Sequence, residues 1–431
     1  AVFGYGLGLA LACGLLFGLI PALRVATAQD RNAAMSGRTA APRAGSRLLV
    51  VSQVAVAVVL LASTLLLVRS TLELLDIDPG FDPDNLMTLR IGLSGAAYDD
   101  GARVVAFNHE LVERVEALPG VIGAAVVDRI PLSGNLATTS LGLPEAASDA
   151  DRVGTNVHLV TPGYFDVMGM RLLAGRGLAA TDTATSQPVV VINEMTARAL
   201  FGERSPLGRQ VVTGGGRTLE IVGVVSDVKV HTIEEPAAPA LYIHTDQLPS
   251  RSSGLVVRTA DDPAALVNAV RAQVNAIDPA QDIYEVSSMR AMIDASPAML
   301  TRTIPALLLS GFAAFATLLV GLGLFAIVAH DVAARTREIG IRRAIGALPA
   351  SVVRDVTAGT LAVVALGIVV GSFAAVAAAR LLQSILFGVG TADPLALVGT
   401  AAAVLIVAAL ACIVPVRRAV NIDPTEALRA E

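Results

Sequence analysis

Residues 304–329 read IPALLLSGFAAFATLLVGLGLFAIVA, an apolar run with no Asp, Glu, Lys or Arg in it. About 20 such residues in a helix cross the ~30 Å hydrocarbon core of a bilayer. A helix buried in a large soluble protein can also be apolar on every side. Here, however, the pattern recurs at 1–23, 48–68, 356–379 and 394–416, and so many uninterrupted runs cannot all be soluble core. The sequence therefore predicts an α-helical membrane protein with five spans.

Outward from these runs the composition agrees. Of 431 residues, 54% are hydrophobic and only 16% charged, against about 25% charged in an average soluble domain, and the mean hydropathy is +0.66. Residues 70–303 carry 29 acidic and 17 basic side chains, a net of −12, whereas the rest carry 8 and 15, a net of +7. An acidic block thus sits inside a basic, apolar frame. That excludes an ordinary soluble enzyme and argues against nucleic acid as a partner, since a nucleic-acid binder carries its positive charge on the soluble part. Both cysteines, Cys13 and Cys412, lie in apolar runs, so neither a disulfide framework nor a thiolate metal site is expected. Ala26-Thr27-Ala28 resembles a signal-peptidase site, but the first positive charge, Arg24, follows the run instead of preceding it. The reading is a chain cut from a longer protein, not a signal peptide.

Arginines orient the spans, because short cytoplasmic loops carry the positive excess. Residues 24–47 hold Arg24, Arg31, Arg38, Arg43 and Arg47 against Asp30 alone, and 330–355 hold Arg335, Arg337, Arg342, Arg343 and Arg354. The tail 417–431 adds Arg417, Arg418 and Arg429, while 380–393 holds only Arg380 and Asp393. One alternating topology satisfies every loop: 24–47, 330–355 and the tail inside, 380–393 and the acidic 70–303 block outside. The spans lack the ionisable groups of an ion-coupled carrier. Gly14-xxx-Gly18 and Gly367-xxx-Gly371 instead suit close helix packing.

The external block reads as an α+β fold divisible into two subdomains. Helices are expected at Val104–Leu118, Glu194–Phe201 and Pro263–Ile277, and strands at Val121–Val127, Val189–Ile192, Arg209–Thr213, Thr218–Val225, Leu255–Arg258 and Ile283–Val286. Gly214-Gly215-Gly216 falls between two strands, which marks a hairpin; a phosphate-cradling loop would open a helix. No catalytic, metal or cofactor constellation is expected. The histidines 109, 158, 231, 244 and 330 are far apart, no G-x-S-x-G elbow occurs, and Lys229, the only lysine, belongs to no nucleotide loop.

Leu61, Leu65, Val68, Leu72 and Leu75 form a heptad-like seam, so the span 48–69 is expected to continue outward as a stalk. Inside, Ile341, Ala344, Ile345 and Leu348 share one helical face, and Glu338 and Arg342 form an i,i+4 pair. A short amphipathic helix over Glu338–Leu348 that lies on the membrane or docks into a partner is the expectation. Ile20-Pro21-Ala22-Leu23-Arg24 and Val414-Pro415-Val416-Arg417-Arg418 match weakly at equivalent span exits, which suggests that residues 1–47 close a preceding repeat copy.

Arg335-Thr-Arg-Glu-Ile-Gly-Ile-Arg-Arg-Ala-Ile-Gly-Ala347 and the terminal Asp423-Pro-Thr-Glu-Ala-Leu-Arg429 resemble the permease subunits of the MacB/FtsX/LolC class of ABC transporters. Gln53-Val-Ala, Asp78-Pro-Gly-Phe-Asp82, Thr161-Pro-Gly-Tyr-Phe-Asp-Val-Met-Gly169, Val191-Ile-Asn-Glu194 and Ile221-Val-Gly-Val-Val-Ser-Asp227 are similar to the duplicated orphan permeases of acidobacterial type. The resemblance implies one copy over 48–431, comprising a long span, a large periplasmic domain and three further spans in a bacterial inner membrane. It also implies a cytoplasmic ABC ATPase partner that meets Glu338, Ile339, Gly340, Ile341, Arg342, Ala344, Ile345, Gly346 and Ala347. A preceding permease copy or second permease, and a periplasmic or outer-membrane protein, are further implied partners. The expected function is a non-enzymatic permease that carries ATPase motion to the periplasmic domain to export or extract an amphiphilic substrate such as a drug, lipid or lipoprotein. The alternative is a non-transporting FtsX-like regulator that binds a periplasmic protein.

Overall fold

The computed structural model describes residues 41–145, 152–345, 348–383 and 386–421. The chain divides into two units.

The larger unit takes in Leu61–Phe312 and Val376–Leu397. Helix α1 (Ala41–Leu75) leads into it, followed by β1 (Leu86–Gly92), α2 (Gly101–Glu116) and β2 (Val121–Val127). An insertion then supplies β3 (Thr138–Gly142), β4 (Val153–Val160), α3 (Tyr164–Met168), β5 (Leu172–Gly175), β6 (Val189–Asn193), α4 (Glu194–Phe201), β7 (Gln210–Thr213), β8 (Thr218–Val225) and β9 (Ala240–His244). The chain returns through β10 (Ser252–Thr259), α5 (Val267–Ile277), β11 (Asp282–Ser288) and α6 (Met289–Asp294).

Strands β11-β1-β10-β2 lie side by side, all antiparallel. With α2 and α5 as the two crossovers, this is a split βαβ arrangement. Asp100 starts α2 by accepting the Ala102 N–H, and Val104, Phe107, Leu111 and Val115 then recur on the face that meets the sheet. The sheet answers by alternation: Met87, Leu89, Ile91, Ala124, Val126, Leu255 and Val257 share that core, while Leu86, Ala125, Val127 and Val256 turn to the opposite one, where α3 packs.

The insertion closes on itself. β4 pairs with β3, β3 with β7, β7 with β8, β8 with β6, β6 with β9, and β9 in parallel with β4. Closure removes the open edges that such short strands would otherwise present. Leu159, Val190, Ile192, Val211, Leu219, Ile221, Leu241 and Ile243 fill one core of this ring, each burial stabilising by roughly 1.5–3 kcal/mol. β6 is buried along its whole length because Val190 and Ile192 serve the ring while Val189 and Val191 join the cluster of α3. β7 and β8 form the expected hairpin, with Gly216 at φ +78°.

The heptad seam is not what α1 buries. Leu66, Leu67, Ser70 and Leu74 are enclosed, whereas Val68, Leu72 and Leu75 are exposed. Heptad spacing marks an apolar face without specifying its neighbour, and here the core around Leu74, Phe81, Leu86 and Met299 takes the adjacent face.

The second unit is formed by the described parts of Ala1–Leu60, Ala313–Ala375 and Val398–Glu431. It draws on α1, α7 (Pro297–Ala334), α8 (Thr336–Ala344), α9 (Pro349–Leu381) and α10 (Pro394–Val420). Among the described residues, the helices at Arg47–Leu75, Pro297–Ala334, Pro349–Leu381 and Pro394–Val420 are long and apolar enough to cross a membrane. The expected span 1–23, with its Gly14 and Gly18, lies outside the described residues. The expected basic loop 24–47 is shortened, since α1 already begins at Ala41. Gly367 and Gly371 do seat a helix: a Cβ on Gly367 would lie 2.6 Å from Val54, and one on Gly371 2.7 Å from Val58. Their missing side chains let α9 lie against α1.

Candidate functional site

The segment that the sequence marks for coupling starts with α8, held at two points. Ile339 is buried in a cluster with Val328, Val332, Val352 and Ala419. Arg342 bridges Glu338 at 2.6 Å and Asp355 at 3.0 Å, tying α8 to α9. Gly340 is buried as well. The stripe faces the other way: Ile341 is 40% exposed, Ile345 82% and Leu348 73%.

The helix stops at Ala344, short of the expected Leu348, and Ile345 sits in a turn. Pro349, which starts α9, pushes the preceding Leu348 out of the helical region. Gly346, Ala347 and the side chain of Ala344 lie outside the described residues.

Four further motifs meet in the larger unit. Asp78, Gly80, Phe81, Asp82, Gly169, Arg171, Leu173, Glu194, Ser226 and Asp227 line an open hollow. Backbone bonds lock the motifs together. Lys229 N–H donates to the Pro79 carbonyl at 2.9 Å, Asp82 N–H to the Met168 carbonyl at 2.9 Å, and Ser226 N–H to the Arg171 carbonyl at 2.9 Å. Met195 N–H donates to Asp227 Oδ1 at 2.9 Å. Burial still pushes the Asp227 carboxyl above its ordinary range, with that N–H opposing. Gly80 has φ +85° and lies against the Asp227 backbone so closely that a Cβ would collide with its carbonyl. Arg258 completes the clamp by donating to the Val167 carbonyl at 2.7 Å, the Asp82 carbonyl at 2.9 Å and Asp82 Oδ2 at 3.1 Å. The motif residues therefore fasten the chain leaving α1 to the strands on both sides. Among the described residues no group of three His, Cys, Asp or Glu could hold a metal ion.

Residues 48–277 match the family described as MacB-like periplasmic core domain, and 310–424 match the FtsX-like permease C-terminal family. The chain belongs to the MacB/FtsX class of ABC permeases. As such it is a multi-pass inner-membrane protein with a large MacB-like periplasmic domain. An uncharacterised ABC transporter permease, YknZ of Bacillus subtilis (strain 168), is 26% identical over 306 residues, which cover 69% of this chain and 75% of that protein. The macrolide export ATP-binding/permease protein MacB of Aggregatibacter actinomycetemcomitans is 29% identical over 203 residues, 44% of this chain and 30% of that one. MacB 1/2 of Paracoccus denitrificans (strain Pd 1222) is 32% identical over 258 residues, 58% and 36% respectively. The chain thus spans about a third of the length of these MacB proteins. Among solved structures, the periplasmic region of MacB from Actinobacillus actinomycetemcomitans aligns at TM-score 0.35 and 19% identity, over 51% of this chain and 95% of that one. The extracellular domain of the noncanonic ABC-type transporter YknZ aligns at 0.32 and 16%, over 46% and 100%.

The FtsX-like segment contains all the expected coupling residues. Sequence reasoning treated Ile339 as one of them and did not foresee that it points into the unit's own core. Spacing carries the missed signal: Ile339 is two residues from Ile341, and on a helix residues two apart face away from each other. Asp355 and Arg258 had no local signal, because their partners are distant in sequence.

Proposed function

We propose that this permease passes the motion of a cytoplasmic ABC ATPase to its MacB-like periplasmic domain, to export or extract an amphiphilic substrate such as a drug, lipid or lipoprotein. The observation that carries the reading is the division of labour around α8. Ile339 and Arg342 anchor the helix to its own unit, while Ile341, Ile345 and Leu348 are left uncovered. Apolar side chains exposed together in a basic, otherwise polar segment suit a docking cleft better than a solvated connector. The MacB relatives are named ATP-binding/permease proteins, which supports a cytoplasmic ABC ATPase as the source of the motion.

The test is recovery of the ATPase with the full chain from its native membrane. Ile345→Asp should lose the partner while expression and topology stay normal, because an unpaired carboxylate would be desolvated in the contact. Arg354→Ala should keep it. Recovery of the ATPase by Ile345→Asp at wild-type levels refutes the assignment. The FtsX-like reading, a regulator that binds a periplasmic protein, has its support in Leu172 and Leu173, exposed on β5, which among the described strands pairs with β8 alone. A periplasmic protein that co-purifies and is released by Leu173→Asp would favour it.

A further inference from the structure

In sequence, the connection between α9 and α10 reads as a short solvent loop. Its residues 386–393 are fastened to α1 instead. Phe387 N–H donates to Ser70 Oγ at 2.8 Å, and Ser70 is fully buried. Arg69, one residue earlier, pairs with Asp393, whose side chain is only 9% exposed, and the same guanidinium reaches Glu73 at 3.9 Å. Gly388, at φ +69°, lies against the Glu73 side chain, where a Cβ would come within 3.3 Å.

Apolar packing follows the same line. Leu386 and Val389 pack with Leu65, Leu66, Ala379 and Ala396. Phe387 packs against the core cluster that holds Leu74, Phe81, Leu86 and Met299. A loop tied only at its ends would leave its amides to water and its apolar side chains uncovered. A buried hydroxyl that accepts a loop amide is costly to leave unpaired, so Ser70 specifies where the connection must sit.

We propose that residues 386–393 form a latch through which α9 and α10 act on the periplasmic domain, with Arg69 and Ser70 as its positioning residues on α1. α1 and α7 join that domain covalently. The latch adds a third attachment, and it comes from the helix that also receives α8 through Val352 and Asp355. Its use in transport rests on the coupling reading above; its existence does not.

Amide exchange followed by mass spectrometry on the full chain in lipid nanodiscs tests both parts. Phe387 should exchange slowly in the wild type, and roughly two- to tenfold faster in Ser70→Ala, the effect of one net hydrogen bond. Arg69→Asp and Asp393→Arg should each loosen 386–393, and the double exchange should restore it. A wedge between α9 and α1, Gly367→Val, with Gly367→Ala as the milder form should the first not fold, should then speed exchange around Leu74–Phe81. That response should vanish when Ser70→Ala and Asp393→Arg are added. The latch is overturned by free-loop exchange at Phe387 in the wild type, by a wedge with no effect in the wild-type background, or by a wedge response that survives its loss. No ATPase enters this experiment, so failure of the coupling reading and failure of the latch are told apart.

Discussion

Asp128 and Leu159 are joined twice: the Asp128 N–H donates to the Leu159 carbonyl at 2.9 Å, and the Leu159 N–H donates to Asp128 Oδ1 at 2.9 Å. The carboxylate thereby extends the single ladder pair, Val127 with Val160, that joins β2 of the split βαβ sheet to β4 of the ring. Burial pushes its carboxyl up to about 6, opposed by the Leu159 N–H and by the Arg129 guanidinium. Beside it on β4, His158 is enclosed and stacked on Tyr242 at 5.3 Å. Burial takes its imidazole down to about 4; the Arg129 carbonyl opposes this, while the Arg129 and His231 charges add to it.

These neighbours should cancel one another's response to acid. Asp128 is raised from 3.8 to about 6, so its contribution is present below the first value and lost as pH rises through the second. His158 is lowered from 6.5 to about 4, so its contribution is present above the first value and lost as pH falls through the second. Over that window the opposed slopes each approach about 1.4 kcal/mol per pH unit. Asp128→Asn, which keeps an oxygen for Leu159, should lose stability relative to wild type as pH drops from about 6 to about 4. His158→Phe should gain it. Denaturant titrations of the full chain across this range check both, and parallel profiles for all three proteins contradict the pairing.

Substitution at Gly367 should be costly while Gly311 is tolerant. A Cβ at Gly367 meets Val54 at 2.6 Å, whereas nothing lies within 4 Å at Gly311. Gly367→Val should destabilise by about 1–3 kcal/mol through overpacking. Gly311→Ala should be neutral or mildly stabilising, since alanine is the better helix former. Thermal midpoints of the purified protein in one detergent compare them; equal midpoints would show that α9 does not lie against α1.

Ile339 and Ile345 should separate stability from docking. Truncation of the buried Ile339 to Ala is expected to cost about 2–5 kcal/mol. Ile345→Asp, at a site 82% exposed, should shift the thermal midpoint little and affect only recovery of the partner. A large loss of stability in Ile345→Asp would mean that the stripe is covered within the chain.

Single cysteines should report the topology, once Cys13 and Cys412 are replaced. Thr185→Cys, on the periplasmic domain, should react with a membrane-impermeant thiol reagent in intact cells. Arg337→Cys, on α8, should react only after permeabilisation. Labelling of both from outside contradicts the orientation drawn from the arginines.

The periplasmic elements that were legible have local signals. Val121–Val127, Glu194–Phe201 and Thr218–Val225 form the elements expected, to the residue, each bounded by its own turn or cap; Asn193, for example, accepts the Thr196 N–H at the start of α4. Strands β1, β3, β4, β5 and β9 and the short helices α3 and α6 were missed. Asn156 and His158 break the apolar alternation of β4, and their burial is decided by the Tyr242 and Pro239 side of the ring. The apolar stripe of Ile341, Ile345 and Leu348 was visible as a helical face, but the inward turn of Ile339 follows from the cluster around Val328.

That this chain lives in a membrane and carries an acidic α+β domain outside it follows from contiguous residues alone, because apolar run length and arginine bias are local properties that a bilayer reads directly. Tertiary structure alone decided that β4 and β9 close a ring, that Asp128 extends the joint between the sheets, and that Phe387 bonds Ser70. Each of these joins residues far apart in the chain, and the pairing depends on which buried polar group is left needing a partner once the local elements have packed. No periodicity records that need.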